Sequence, residues 1–342
     1  MKHYLLPENG QFYKANMHSH TNISDGKYSP EEVKRNYKEK GYSIVAYTDH
    51  EVFVPQNALC DEEFLAINAV EVARNDGWHG GFEYNKSFHI NFYAKEQSAT
   101  ECPILNPKYI WLEQSKPYVT EEMEQKPYKS HFSTAGFNHM FKKANDAGFL
   151  VCLNHPVWSL LDPDDYTDLK GLWGIEVYNT GCFRCGLADT EQPMVDLLRR
   201  NERVMPIAAD DNHDSWSQFG GWVMVKAEKL DYATVMKALE RGEFYASTGP
   251  EIKEMWIEDK QLHIKTSDAA SIRLATNYRC SRAKNGSREN PINEITFNLT
   301  DFFDHNTAHA TPRSDPWFRV YVTDADGNKA WSRAYFLDEI AQ

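Results

Sequence analysis

HSHTNISDGKYSPEEV at residues 18–33, continued by SIVAYTDH at 43–50, decides how this chain is read. The preceding FYKANM reads as a short strand that runs into His18. On an extended segment residues i and i+2 point to one side, so His18 and His20 can grip one ion. Ser29-Pro30-Glu31-Glu32 has the form of a helix start, with Ser as N-cap, Pro at N1 and Glu at N3 closing a capping box. That helix carries Val33 and Tyr37 on one face and stops at Gly41. SIVAY is then a buried strand that delivers Thr48, Asp49 and His50.

The same unit recurs downstream. FNHMFKKANDAG predicts a helix ending at Gly148, and FLVCLN a strand delivering His155. EQPMVDLLRRNER predicts another helix, and VMPIAA a strand delivering Asp211 and His213. GIEVYN is one more buried strand. Glu71 follows the apolar run FLAINAV, and His89 sits in the alternating SFHINFYA. Metal-type side chains thus recur at or beside strand ends, the rim on which parallel α/β folds and barrels build sites. Six of the 13 His belong to this set; His3, His79, His131, His139, His263, His305 and His309 follow no such pattern. Imidazole suits zinc, iron or manganese, and carboxylates widen the choice towards manganese and magnesium.

The stretch 97–134 has weak periodicity and several prolines, so an insertion or lid is expected there. After Gly249-Pro250 the pattern changes. EIKEMWIED, QLHIKTS, SIRLATN, ITFNLT, WFRVYVTD and AWSRAYFL alternate as strands, with turns at Asp259-Lys260 and Asp326-Gly327. The expectation is an α/β unit over 1–248 and a small antiparallel β-sandwich over 249–342.

The opening motif closely resembles that of the PHP (polymerase and histidinol phosphatase) superfamily. AADDNH at 208–213 resembles the superfamily's late G-S-D-A-H motif, with Asp211 and His213 in the ligand positions. The resemblance covers roughly the first 245 residues. It implies a distorted (β/α)7 barrel around two or three divalent ions: zinc, manganese or iron, with magnesium compatible. It implies His18, His20, Glu71 and Asp211 around one ion, with Glu71 bridging to a second held by His89 and His155. Asp25, His50 and His213 would hold the third. FYASTGPEI and the strand-rich tail also look like the two-domain CehA/McbA-like subgroup. Two departures stand out. Ala209-Asp210 replaces Gly-Ser, so Asp210 rivals Asp211 as ligand. Asp25 stands, as in SDG-type phosphoesterases, where many relatives carry His or a smaller group.

The chemistry expected of such a cluster is hydrolysis. Bound ions lower the pKa of water towards about 7 and clamp phosphate oxygens. The expected reaction is in-line attack by metal-bound hydroxide on a small phosphomonoester, with Glu71, Asp211 and His213 carrying catalysis. Asp49 either orients a ligand or caps a strand end. Arg184 and Arg74 are candidate phosphate clamps, each also readable as a surface Arg. Trp78, Trp158 and Trp216 lie near the ligands in sequence and are assigned no role. A metallohydrolase of a non-phosphate ester or carbamate, or a non-catalytic module, are the rival readings.

Composition bounds the partners. With 37 Lys plus Arg against 50 Asp plus Glu, the formal charge of the 342 residues is −13, so no nucleic-acid partner is expected. No apolar stretch approaches the roughly 20 residues of a bilayer span, and MKHYLLPENGQFYKAN lacks a signal's apolar core; a cytoplasmic protein with no membrane partner is expected. Of six Cys, Cys182 and Cys185 form a lone C-x-x-C without the second pair a structural zinc site wants, so two loop thiols are expected.

Overall fold

The computed structural model describes residues 2–77, 82–187, 190–305 and 315–340; Trp78, His79 and His309 lie outside them. A two-residue strand β1 (His3–Tyr4) precedes β2 (Gln11–Asn16), β3 (Ile44–Tyr47), β4 (Leu65–Asn75), β5 (Ser87–Ala94), β6 (Phe149–Leu153), β7 (Gly174–Asn179) and β8 (Met205–Ala209). Neighbours β2, β3 and β4 run parallel, β4, β5 and β6 antiparallel, and β6, β7 and β8 parallel again. Strands β3, β5 and β6 are buried along their whole length, as fits strands covered on both faces.

Beyond the last residue of β2 the chain keeps pairing. Ser19 bridges Asn212 in parallel, the Asp211 N–H donates to His18 O at 3.0 Å, and the His20 N–H donates to Asn212 O at 3.0 Å. The segment after β8 is thereby tied to the segment after β2.

Helices fill the crossovers. Helix α1 (Pro30–Lys38) has Ser29 as N-cap with both capping-box bonds made, and buries Val33 and Tyr37. The short α2 (Glu121–Gln125) lies in the 97–134 stretch, and α3 (Thr134–Asp146) buries Phe137, Met140, Phe141 and Ala144. Next come α4 (Pro163–Tyr166), α5 (Thr180–Arg184), α6 (Gln192–Leu198) and α7 (Tyr232–Arg241). The 97–134 stretch is mostly turns, but it is not detached. Cys102, Ile104, Leu105, Met123 and Tyr128 are buried in the main core.

Strands β9 (Trp222–Ala227) and β10 (Phe244–Ser247) add antiparallel to the free side of β2. The remaining strands are β11 (Ile252–Glu258), β12 (Gln261–Ala269), β13 (Ser271–Thr276), β14 (Arg282–Asn285), β15 (Ile292–Asn298), β16 (Trp317–Thr323), β17 (Lys329–Ser332) and β18 (Tyr335–Phe336). They divide between two sheets. A four-stranded antiparallel sheet runs β1-β11-β12-β15, while β14-β13-β16-β17 continue the large mixed sheet through the β17–β10 pair. Strand β17 covers what would otherwise be an open edge of backbone donors and acceptors. Residues from both sheets, with Leu5 and Leu6 from the N-terminal segment and Tyr245 from β10, share a second core. The strand-rich tail thus shares a sheet with the α/β unit and recruits the first residues of the chain. No helix among the described residues is long and apolar enough to cross a membrane.

Candidate metal centre

His18 and His20 follow β2 on the extended run tied to Asn212, and both side chains are fully buried. Gly26 is required nearby, because a Cβ there would lie 2.4 Å from His20 O. His50 follows β3 and bridges Glu71 in parallel. His155 follows β6 and Asp211 follows β8, both at positive φ (24° and 52°), a conformation non-glycine residues adopt at a cost. Glu71 is not just past a strand end, contrary to the expectation, whereas His89 lies inside the strand expected for it. Both lie inside strands, because the long β4 leaves β3 after Asn68 and pairs antiparallel with β5, which enters from the rim.

The four ligand atoms expected around the first ion converge. His18 Nε2 and His20 Nε2 are 3.1 Å apart. Glu71 Oε2 is 3.2 and 3.1 Å from them, and Asp211 Oδ1 is 3.3 and 3.1 Å from them. A tetrahedron of donors about 2.1 Å from an ion has edges of about 3.4 Å, so this spacing fits a common cation. Asp211 Oδ1 and His50 Nδ1 are buried without a hydrogen bond, as atoms reserved for a missing partner would be.

Glu71 faces two ways. Its Oε2 looks at His18, His20 and, at 3.3 Å, His50 Nδ1. Its Oε1 is 3.0 Å from His89 Nδ1 and 3.6 Å from His155 Nε2, and accepts from Asn154 Nδ2 at 2.8 Å. A third group forms around Asp25, whose Oδ2 is 3.6 Å from His50 Nε2 and 3.5 Å from His213 Nε2, while Oδ1 is 3.4 Å from His20 Nδ1. His50 thus faces both Glu71 and Asp25, and His155 also groups with His18 and Glu176.

Glu176, in the middle of β7, was not among the sequence candidates. Its Oε1 lies 2.8 Å from His18 Nδ1, and its Oε2 accepts from the His155 N–H and Asn179 Nδ2, both at 2.9 Å. The available signal was one carboxylate inside the otherwise apolar GIEVYN strand. Asp49 does not touch the His cluster. It accepts from the Thr21 N–H, Thr21 Oγ1 and Ser24 Oγ at 2.7–2.8 Å, and so clamps the loop that carries Asp25. Asp210 points away from the cluster and is saturated by Tyr37, Thr180 and the N–H groups of Phe219, Gly220 and Gly221. Asp211, not Asp210, faces the imidazoles.

Burial disfavours charge on every one of these groups, yet the mutual attraction of opposite charges wins at several. It holds Glu71 and Asp211 well below the usual carboxylate range, against burial. For His18 and His20 burial is likewise outweighed, by Asp211, Glu71 and other carboxylates, and His20 rises to about 10. His50 goes the other way; burial dominates and brings it down to about 3.

A cavity of about 610 Å³ opens over the cluster, lined by ligand side chains and by Trp111, Trp158 and Trp216. Cys182 and Cys185 also line it; they are not the two loop thiols expected, since Cys182 is buried within α5 and Cys185 caps that helix. Neither candidate phosphate clamp does. Arg74 alternates to the opposite face of β4 from Glu71, Ala73 and Asn75, and is buried against Glu51 (2.7 Å) and the Tyr109 ring. Arg184 is exposed and donates to Gln218 O at 3.3 Å.

No family model and no curated protein matches the sequence. Solved structures similar to the chain include a two-domain protein containing a predicted PHP-like metal-dependent phosphoesterase from Bacteroides vulgatus ATCC 8482. It is 14% identical over 97% of both chains, with a TM-score of 0.42. An amidohydrolase from Chromobacterium violaceum is 14% identical over 67% of this chain and 96% of its own, at 0.41. A lesion-specific endonuclease from Pyrococcus furiosus is 16% identical over 67% and 56%, at 0.40.

Proposed function

We propose that this chain is a metal-dependent hydrolase of the PHP type, acting on a small phosphoester. The observation that carries the reading is the two-sided Glu71: one oxygen faces His18 and His20, and the other faces His89 and His155. That is the geometry of a carboxylate shared by two cations. The PHP-like motif at 18–33 supplies His18, His20 and Asp25, and that at 208–213 supplies Asp211 and His213; Glu71, His89 and His155 come from outside both. The Ser19–Asn212 bridge supports a distorted barrel, in which β2 to β8 form a ring closed beyond the ends of β2 and β8.

In this reading His18, His20, Glu71 and Asp211 hold one ion. Glu71, His89 and His155 hold a second, and Asp25, His50 and His213 a third. Zinc, manganese and iron all suit this mixture of imidazole and carboxylate. When bound, such ions supply Lewis acidity and a water activated at neutral pH. The protein's own part is orientation. Glu176 fixes the ring of His18, Asn154 fixes Glu71, and Asp49 holds the Asp25 loop. A phosphomonoester is the substrate we favour; a non-phosphate ester or carbamate is the second reading. The latter is favoured by the lack of Lys or Arg among the described lining residues. The net charge of −13 supports a small substrate over nucleic acid.

Protein loaded with manganese, iron or zinc and assayed on p-nitrophenyl phosphate and p-nitrophenyl acetate tests the proposal. Turnover of the phosphate, abolished by Glu71→Gln, is expected. Turnover of the acetate alone would replace the phosphoesterase reading with the second.

A further inference from the structure

The walls of the cavity over the cluster carry three indoles and, among the described residues, no Lys or Arg. Trp111 is 53% and Trp216 50% exposed, far more than an indole in a core. The segment that carries each of them is bonded to a ligand loop. Trp111 stands 5.0 Å from the His50 ring, and its segment is pinned to the Asp25 loop by Gln114 donating to Ser24 O and Ser115 Oγ donating to Ile23 O (2.8 Å). The backbone N–H of Trp216 donates to Asp214 Oδ1 at 2.8 Å, in a turn whose Ser217 Oγ accepts from the backbone N–H of His213. Trp158 packs edge-on to His89 and His155, with centroids 5.2 and 5.1 Å away.

Two half-exposed indoles, one on the segment tied to the Asp25 loop and one on the turn after His213, line the same cavity as a third and form a site for a flat apolar group next to the cluster. With no Arg or Lys on the described walls, recognition of charge falls to the ions and recognition of shape to the rings. We propose that the substrate carries an aryl group that docks against Trp111 and Trp216, with its ester group at the ions. This rests on the hydrolase reading for the ester, but not for the ring. The aromatic faces favour offset or edge-on contact with another ring over contact with an alkyl chain.

The test uses two non-hydrolysable probes on the manganese-loaded full chain: benzylphosphonate and methylphosphonate, titrated calorimetrically. The benzyl compound is expected to bind at least about tenfold more tightly, a difference of about 1.4 kcal/mol. Trp111→Ala and Trp216→Ala should each cut that ratio by several-fold, while Trp→Phe at either position keeps most of it. Equal affinity of the two probes, including no binding of either, overturns the aryl assignment. So does a ratio that survives both alanine substitutions. Hydrolysis is scored separately on benzyl and methyl phosphate, whose leaving alcohols are closely matched in basicity. Preferential binding of the benzyl probe with no turnover keeps the aryl site and removes the phosphoesterase reading.

Discussion

His18 Nδ1 and Glu176 Oε1 stand 2.8 Å apart, both side chains almost wholly out of solvent. The contact fixes which face of the imidazole looks at Glu71 and Asp211, since Nε2 on the far side of the ring is the atom that meets them. A carboxylate behind a ligating imidazole sets its tautomer and raises its basicity.

Glu176→Gln should therefore weaken metal retention by about 10- to 100-fold, the usual loss when such a partner is removed. Metal content after dialysis against graded chelator is the measurement. Unchanged retention would show that Glu176 only fills space.

Asp210 and Asp211 are neighbours with opposite jobs, which their variants should separate. Asp210→Ala strands the backbone N–H groups of Phe219, Gly220 and Gly221, and leaves the Tyr37 and Thr180 hydroxyls only Asn212 Oδ1 and Ala209 O as acceptors. At about 1–3 kcal/mol for each buried group left unpaired, thermal unfolding should drop sharply. Asp211→Asn should bind metal poorly, because its carboxylate is the one that faces His18 and His20. Thermal melts and metal analysis on both variants read out the difference.

Arg74 should matter to folding and not to substrate. Arg74→Ala leaves Glu51, 1% exposed, without its counter-charge, which costs about 3–5 kcal/mol for a buried pair. Urea unfolding of the variant checks this; a raised KM with unaltered stability would restore Arg74 as a substrate contact.

The metal-free protein should lose stability on both sides of neutrality. His20 has a folded pKa of about 10, above the roughly 6.5 of an unfolded imidazole. Its contribution is complete below about pH 6.5 and fades as pH rises through 10. His50, brought down to about 3, binds its proton more readily when unfolded, so it destabilises the fold as pH falls from about 6.5 towards 3. Metal binding near pH 7 must also expel protons from His18 and His20. Melts from pH 4 to 10, and calorimetry in two buffers of different ionisation enthalpy, measure these effects.

Much of the centre is legible in the sequence, for a local reason. His18 and His20 share one strand side, and the strand–helix–strand punctuation around Ser29 and Gly41 places His50 without any tertiary knowledge. Period-two alternation also tells against Arg74, three residues beyond Glu71 and so on the other face, though its type alone suggested a clamp. Glu176 was hidden because one carboxylate in a buried strand has no partner in its own segment; His18 is 158 residues away. Trp111 lies in a stretch without periodicity, held by contacts to Ile23 and Ser24 that no spacing rule anticipates. The two-residue β1, which sends the start of the chain to the antiparallel sheet, is too short to leave a pattern.

The bridge beyond β2 and β8 has a consequence for the order of events during folding. His20 and the Asn212 it bonds are separated by 192 residues; His20 is one of the four groups proposed for the first ion, and Asn212 adjoins another, Asp211. Contacts of such long range form late, after the loop entropy between them has been overcome. The first half of the newly made chain can offer His18, His20, His50 and Glu71, but not the oxygen of Asp211 that completes the set. In the proposed site, capture of the full-affinity ion therefore waits until β8 is seated beside β2. Metal uptake followed in real time during refolding would then time-stamp the last step of assembly and not its nucleus.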